Sequence, residues 1–195
     1  YWRQNGSLQY AGILGLDYNI ATKELIGGKF PEGLKEVYFY DLTLKNLHAG
    51  DTKPVMRTDL MKQVAPQVGF PEEKNFNPIY MMLQVCDKAP VLLMNENLCN
   101  VEYQIGADSM SQGIWRQYVN SAHSFAKLRL LEMRLQRNNL KNRMRVSVHY
   151  VSSCILSRDE DWLNKSPLKL MTLLLSPLGG MLALVVMWKN RKVDR

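Results

Sequence analysis

The chain has 195 residues, a net charge of +7 from 25 Lys and Arg against 18 Asp and Glu, and 46% hydrophobic residues. That length suits one domain, or one domain with a small appendage, and is enough to bury a core, while 22% charged residues beside plentiful aliphatics exclude wholesale disorder. A mean hydropathy of −0.24 excludes a polytopic membrane bundle, three cysteines exclude a disulfide-dense scaffold, and no tandem repeat is visible.

Residues 1–20 are Gly-punctuated and mostly apolar, and Gly12 and Gly15 argue against a helix there. Gly27, Gly28 and Pro31 mark a turn. A strand centred on Val37-Tyr38-Phe39-Tyr40 follows, with Leu42 and Leu44 continuing the alternation. His48–Pro54 is a loop. Thr58–Val68 is expected to be a short helix capped by Thr58. Gly69–Pro78, rich in Pro and Asn, reads as loop, and Ile79–Val85 and Val91–Met94 read as strands. Val101, Tyr103 and Ile105 alternate as a strand ending at Gly106. Asp108 or Ser109 then caps the longest helix, which runs to about Asn142 with Met110, Ile114, Tyr118, Ala122, Phe125, Leu128, Leu131 and Leu135 along one face. Val146, Val148 and Tyr150 predict a final strand.

Leu170–Trp188 contains no charged residue. As a helix it would span roughly 28 Å, about the thickness of the bilayer hydrocarbon. Trp188 suits the headgroup layer, and Lys189, Arg191, Lys192 and Arg195 form a basic, cytoplasmic-side tail. Pro177, Gly179 and Gly180, unfavourable in a soluble helix, would permit close helix packing in lipid. The expected class is therefore α+β: a small membrane-anchored ectodomain with one long basic helix, plus a C-terminal transmembrane helix. The expected boundaries are 1–157 for an extracytoplasmic domain, 158–169 for a juxtamembrane linker, 170–188 for the membrane helix and 189–195 for a cytoplasmic tail. A cleaved signal peptide or a first membrane helix ahead of Tyr1 would deliver the domain to the non-cytoplasmic side.

Between Arg116 and Arg145 the chain carries Arg116, Lys127, Arg129, Arg134, Arg137, Lys141, Arg143 and Arg145 against Glu132 alone. This is either an anion site or a solvated helix face. No base-stacking aromatics interleave these charges, which argues against nucleic acid. Cys86 and Cys99 either pair across a short loop, leaving Cys154 over, or all three are buried thiols. Without C-x-x-C, and with His48, His123 and His149 far apart, no metal site is expected. Gly27-Gly28-Lys29 lacks the rest of a phosphate loop, and the acids of Arg158–Asp161 lie in a linker. No nucleophile with a base can be assembled, so neither enzymatic activity nor a cofactor is expected.

Two stretches resemble the Wzz-type polysaccharide co-polymerases, the chain-length regulators of bacterial inner membranes. One is Val101-x-Tyr103-x-x-Gly106 followed by the long helix with Tyr118-Val119. The other is Lys165-Ser166-Pro167-Leu168-Lys169 leading into an apolar helix with Leu178-Gly179-Gly180-Met181-Leu182. The resemblance implies a non-enzymatic regulator of surface polysaccharide chain length at the inner membrane, with its bulk in the periplasm. Its implied partners are itself as a homo-oligomer, the polysaccharide polymerase, the glycan and the lipid bilayer. Lys127, Arg129, Arg134 and Arg137 would then contact glycan or neighbouring subunits. The alternative is a single-span accessory subunit of a larger membrane complex, such as a secretion or translocation machine.

Overall fold

The computed structural model describes residues 1–102 and 113–193, which form two compact units. Unit 1 comprises Tyr1–Pro66 and Met81–Gln104. After a single turn, α1 (Trp2–Asn5), comes β1 (Gly12–Asn19), the hub of a mixed sheet. The remaining elements are β2 (Glu24–Leu25), β3 (Glu36–Val37), α2 (Phe39–Leu44), β4 (Thr52–Met56), α3 (Thr58–Met61), α4 (Ile79–Cys86), whose first two residues belong to unit 2, and β5 (Val91–Val101).

One edge of β1 pairs antiparallel with β4, Gly12 opposite Met56, and then with β2, Tyr18 opposite Leu25. Its other edge runs parallel to β5, Gly12 opposite Val91, with the register slipping between Leu14 and Asp17. β3 closes the far side of β5. Flanked on both edges, β1 is buried from Gly12 to Asp17, as central strands with a parallel neighbour are. Gly12 allows the β4 backbone to come close: a Cβ there would lie 2.2 Å from the Val55 carbonyl oxygen. Ile13, Leu14 and Leu16 share the core with Phe30, Val37, Leu83, Val91 and Leu92.

Several expected elements differ here. The strand around Val37–Leu44 is two residues long and passes into α2, because Tyr40, Asp41 and Leu42 are all buried and an alternating strand cannot turn three successive side chains inward. Ile79–Val85 is helical: Met82, Leu83 and Cys86 share a buried face at helical spacing. The helix expected over Thr58–Val68 is confined to α3, with Arg57 and not Thr58 at its cap position. Gly69–Pro78 is irregular, as expected, and Val91–Met94 extends into an eleven-residue strand.

Unit 2 comprises Gln67–Tyr80 and Ile105–Arg195. It is helical throughout its described elements: α5 (Ile114–Asn120), α6 (Ala122–Arg134), α7 (Leu140–Ser157), α8 (Trp162–Lys165), α9 (Lys169–Leu174) and α10 (Ser176–Val193). α7 packs against both α6 and α10, and Ala126, Met133, Val146, Tyr150 and Cys154 form the core. Val146, Tyr150 and Cys154 stand four residues apart on one helix face, so the final strand expected there is replaced by α7.

The single long basic helix is likewise three helices. It breaks at Ser121 and again between Leu135 and Asn139. The second break is held by amides: Asn138 Nδ2 donates to the Glu132 carbonyl at 2.8 Å, Asn142 Nδ2 to Asn138 Oδ1 at 2.8 Å, and Asn139 Oδ1 accepts from the Asn142 N–H at 2.8 Å. The first and third of these bonds offer the backbone an alternative to continued helix, and the second ties the two side chains together. The expected strand end at Tyr103–Gly106 and the caps Asp108 and Ser109 lie outside the described residues.

The transmembrane helix is the principal correction. Among the described residues no helix is long and apolar enough to cross a membrane. The charge-free run is divided at Leu175 into α9 and α10. Pro177 has no N–H to give the Leu173 carbonyl, and the Ser176 hydroxyl donates to it instead at 2.8 Å. The apolar part of α10, from Ser176 to Trp188, is then about 20 Å long, well short of the hydrocarbon core. The expected juxtamembrane linker contains α8 and is part of the packed unit, with the Tyr150 hydroxyl donating to the Trp162 carbonyl at 2.8 Å.

Candidate interaction surface

α10 is apolar on two sides. Gly179, Ala183 and Val186 step by four and three along its buried side. At Gly179 the helix comes close to α7: a Cβ there would lie 2.5 Å from the Val151 Cβ. Gly180 has room for one, 4.0 Å from Ile155 Cδ1, and Pro177 is exposed in the first turn. Small residues do permit a close helix crossing here, against α7 of the same unit. α9 is tied down from below: the Ser166 hydroxyl accepts from the Leu168 N–H at 3.1 Å and bonds the Thr172 hydroxyl at 2.7 Å, both residues being buried.

The opposite side of α9 and α10 faces solvent. Leu170, Leu174, Leu178, Met181, Leu184, Val185 and Trp188 are exposed, Leu174 by 70% and Leu184 by 64%. Within α10 the steps of three and four place Leu178, Met181, Val185 and Trp188 in one row. A row of exposed apolar residues of this extent, unlike the scattered exposure normal to soluble proteins, makes this side the candidate interaction surface. Exposed Lys169, Lys189 and Arg191 flank it, and the Lys189 ammonium lies 5.2 Å from the Trp188 ring. Charge is divided unequally: unit 2 carries 16 Lys and Arg against 8 Asp and Glu, whereas unit 1 carries 9 against 10. Thus unit 2 holds +8 and unit 1 holds −1.

The four expected contact bases do not share one environment. Arg134 and Arg137 are exposed near the end of α6. The Arg129 side chain is 13% exposed and paired with Glu132. Lys127 lies among the rings of Phe70, Phe76 and Tyr80, 5.9, 5.8 and 5.6 Å from their centroids. Beside it, both oxygens of Glu73 serve α6, accepting from the His123 N–H at 2.7 Å and the Ser124 N–H at 2.8 Å. The His123 imidazole also meets Glu73 at 3.1 Å and packs on Phe70. Sequence reasoning did not single out Phe70, Glu73, Phe76 or Tyr80. The available signal was two aromatics, Phe70 and Phe76, within the polar Gly69–Pro78 stretch, and Tyr80 just beyond it.

The described residues contain no group of three metal-ligating side chains. All three cysteines are free, so Cys86 and Cys99 are not joined. Burial pushes the Cys86 and Cys154 thiols up to about 12, far from a reactive thiolate. Unit 1 has a cleft of about 260 Å³ lined by Trp2, Ile13, Val55, Met56 and Arg57. Arg57 there is committed to Asp59 and to the Leu8 and Tyr10 carbonyls. Compared with family models, curated proteins and solved structures, the chain matches none, so the residues themselves carry the functional reading.

Proposed function

We propose that this chain is a non-enzymatic interaction protein that docks on an anionic lipid surface through the exposed side of α9 and α10. The observation that carries the reading is the apolar row on a helix whose other face is already buried. An apolar face bordered by Lys and Arg, with Trp at its end, is the pattern of a helix lying along a bilayer surface rather than across it. A charge of +8 on unit 2 opposes direct pairing of two such units and favours an anionic partner. The process we assign to it is the one implied by the Wzz-type resemblance, control of surface polysaccharide length at the membrane.

Co-sedimentation with phosphatidylglycerol vesicles tests the docking. Binding should weaken with salt, fall on neutral vesicles that lack choline headgroups, and drop at least ten-fold in L178E/L184E, both positions being exposed and outside the packed core. Retention of binding by that variant, or no binding by the wild type, would refute it and favour a partner subunit as occupant, the accessory-subunit alternative. A glycan-length distribution unchanged by L178E/L184E in cells would remove the polysaccharide assignment while leaving the docking intact.

A further inference from the structure

The cluster around Lys127 serves none of the roles above. Phe70, Phe76 and Tyr80 surround its ammonium at 5.6–5.9 Å, and all four residues are half-buried, so the cluster opens to solvent. Phe76 and Tyr80 meet edge to face at 5.1 Å, fixing the angle between two walls. Glu73 is the nearby carboxylate, and each of its oxygens accepts from a backbone N–H in the first turn of α6. Among the described residues no carboxylate pairs with Lys127; the rings alone hold it.

A primary ammonium is a poor occupant of such a site. It has three N–H donors and strong hydration, and rings satisfy neither. Its distances lie at the outer limit of the cation–π attraction, about 6 Å. A quaternary ammonium has no N–H to satisfy, and its methyl shell fills the gap between nitrogen and ring faces. Three aromatic walls at this spacing therefore suit the methylated cation better than the lysine that occupies them.

We propose that Phe70, Phe76 and Tyr80 form a binding site for a quaternary ammonium carried beside an anion, as in phosphocholine, with Lys127 as its internal occupant. On binding, the ligand's ammonium takes the ring site and the displaced Lys127 pairs with the ligand's anionic group. The exchange leaves each cation with a partner, the ligand's ammonium with the rings and Lys127 with the anion, whereas a bare cation would leave two positive charges side by side. The site therefore selects the zwitterion over the simple cation. This proposal is independent of the lipid-surface reading, since it uses neither α9, α10 nor an anionic lipid.

The test is ligand NMR with phosphocholine and tetramethylammonium, reading the upfield ring-current shift of the ligand methyls. Wild-type protein should bind phosphocholine at least ten-fold more tightly than tetramethylammonium. In K127A the site is vacated, so tetramethylammonium should gain at least ten-fold and the preference should shrink. F76L, which keeps bulk but removes a ring, should weaken phosphocholine at least five-fold. The wild-type comparison stands even if a variant misfolds. No upfield shift with the wild type, equal binding of the two probes, or a shift undiminished in folded F76L would overturn the proposal. Phosphatidylcholine vesicles identify the source: retention competed by free phosphocholine marks a lipid headgroup, and binding of free phosphocholine without retention marks a soluble ligand.

Discussion

The adjacent glycines of α10 make a sharp test of how that helix is used. In Gly179→Ala the new Cβ meets Val151 Cβ at 2.5 Å, Val151 Cγ1 at 2.6 Å and the Val148 carbonyl oxygen at 3.1 Å. Carbon atoms prefer about 3.5–4.0 Å, so the helices must separate by about 1 Å or Val151 must leave its place. Val151 is 2% exposed and has little room to move. Overpacking of this kind costs about 1–3 kcal/mol, and replacing Gly by Ala within a helix returns about 1 kcal/mol. The expected net loss is about 1 kcal/mol, or roughly 4–8 °C in Tm for a unit of this size. In Gly180→Ala the new Cβ lies 4.0 Å from Ile155, an ordinary contact. There only the helix term operates, so the variant should gain up to about 1 kcal/mol. Urea and thermal denaturation of the two single variants decide the matter. Equal effects of the same sign would refute the close packing of α10 on α7, and with it the reason for assigning the helix to the folded unit.

Removing the carboxylate in Glu73→Ala strips the His123 and Ser124 N–H groups of their acceptor at the positive end of α6, and should cost about 1–2 kcal/mol in chemical denaturation. A variant as stable as the wild type would mean that the 67–80 segment does not hold α6. For pH, the informative group is His149, whose imidazole is held down at about 4, first by burial and then by Arg129 and Arg145. An unfolded histidine titrates near 6.5, so the unfolded chain binds more protons between about pH 6.5 and 4. Its contribution to stability is thus fully present above about pH 6.5 and lost as pH falls toward 4, on the order of 1 kcal/mol after solvent screening. In His149→Gln the stability profile across that window should be flatter; an unchanged slope would remove His149 as its source.

In unit 1 two strands were legible because their signals are local, whereas the loop expected over His48–Pro54 gives way to β4 from Thr52. Glycines at 12 and 15 argued against helix at the start of the chain, where β1 forms, and the apolar run from Val91 marked β5. The Gly69–Pro78 loop was evident from its Pro and Asn residues, and the basic cluster from a count of charges. The residues themselves also contain the helix spacing of Val146, Tyr150 and Cys154, but a β-branched run there matches period two equally well over its few residues. Ile79–Val85 was ambiguous for the same reason, and only the burial of Met82, Leu83 and Cys86 on one face settles it.

What the amino-acid sequence by itself determined is the α+β composition, the concentration of positive charge in the second half and the apolar run at 170–188. What only the tertiary structure decided is how those features are used. An apolar segment with a basic end satisfies either lipid or a protein neighbour, because both reward the same transfer out of water. The choice depends on whether another surface is shaped to receive it, and Val151 opposite Gly179 supplies that surface. The same applies to the bases: charge count cannot tell Arg129, paired with Glu132, from Lys127, enclosed by three rings brought from forty to sixty residues away along the chain. Such pairings are nonlocal, so they are decided by packing and not by pattern.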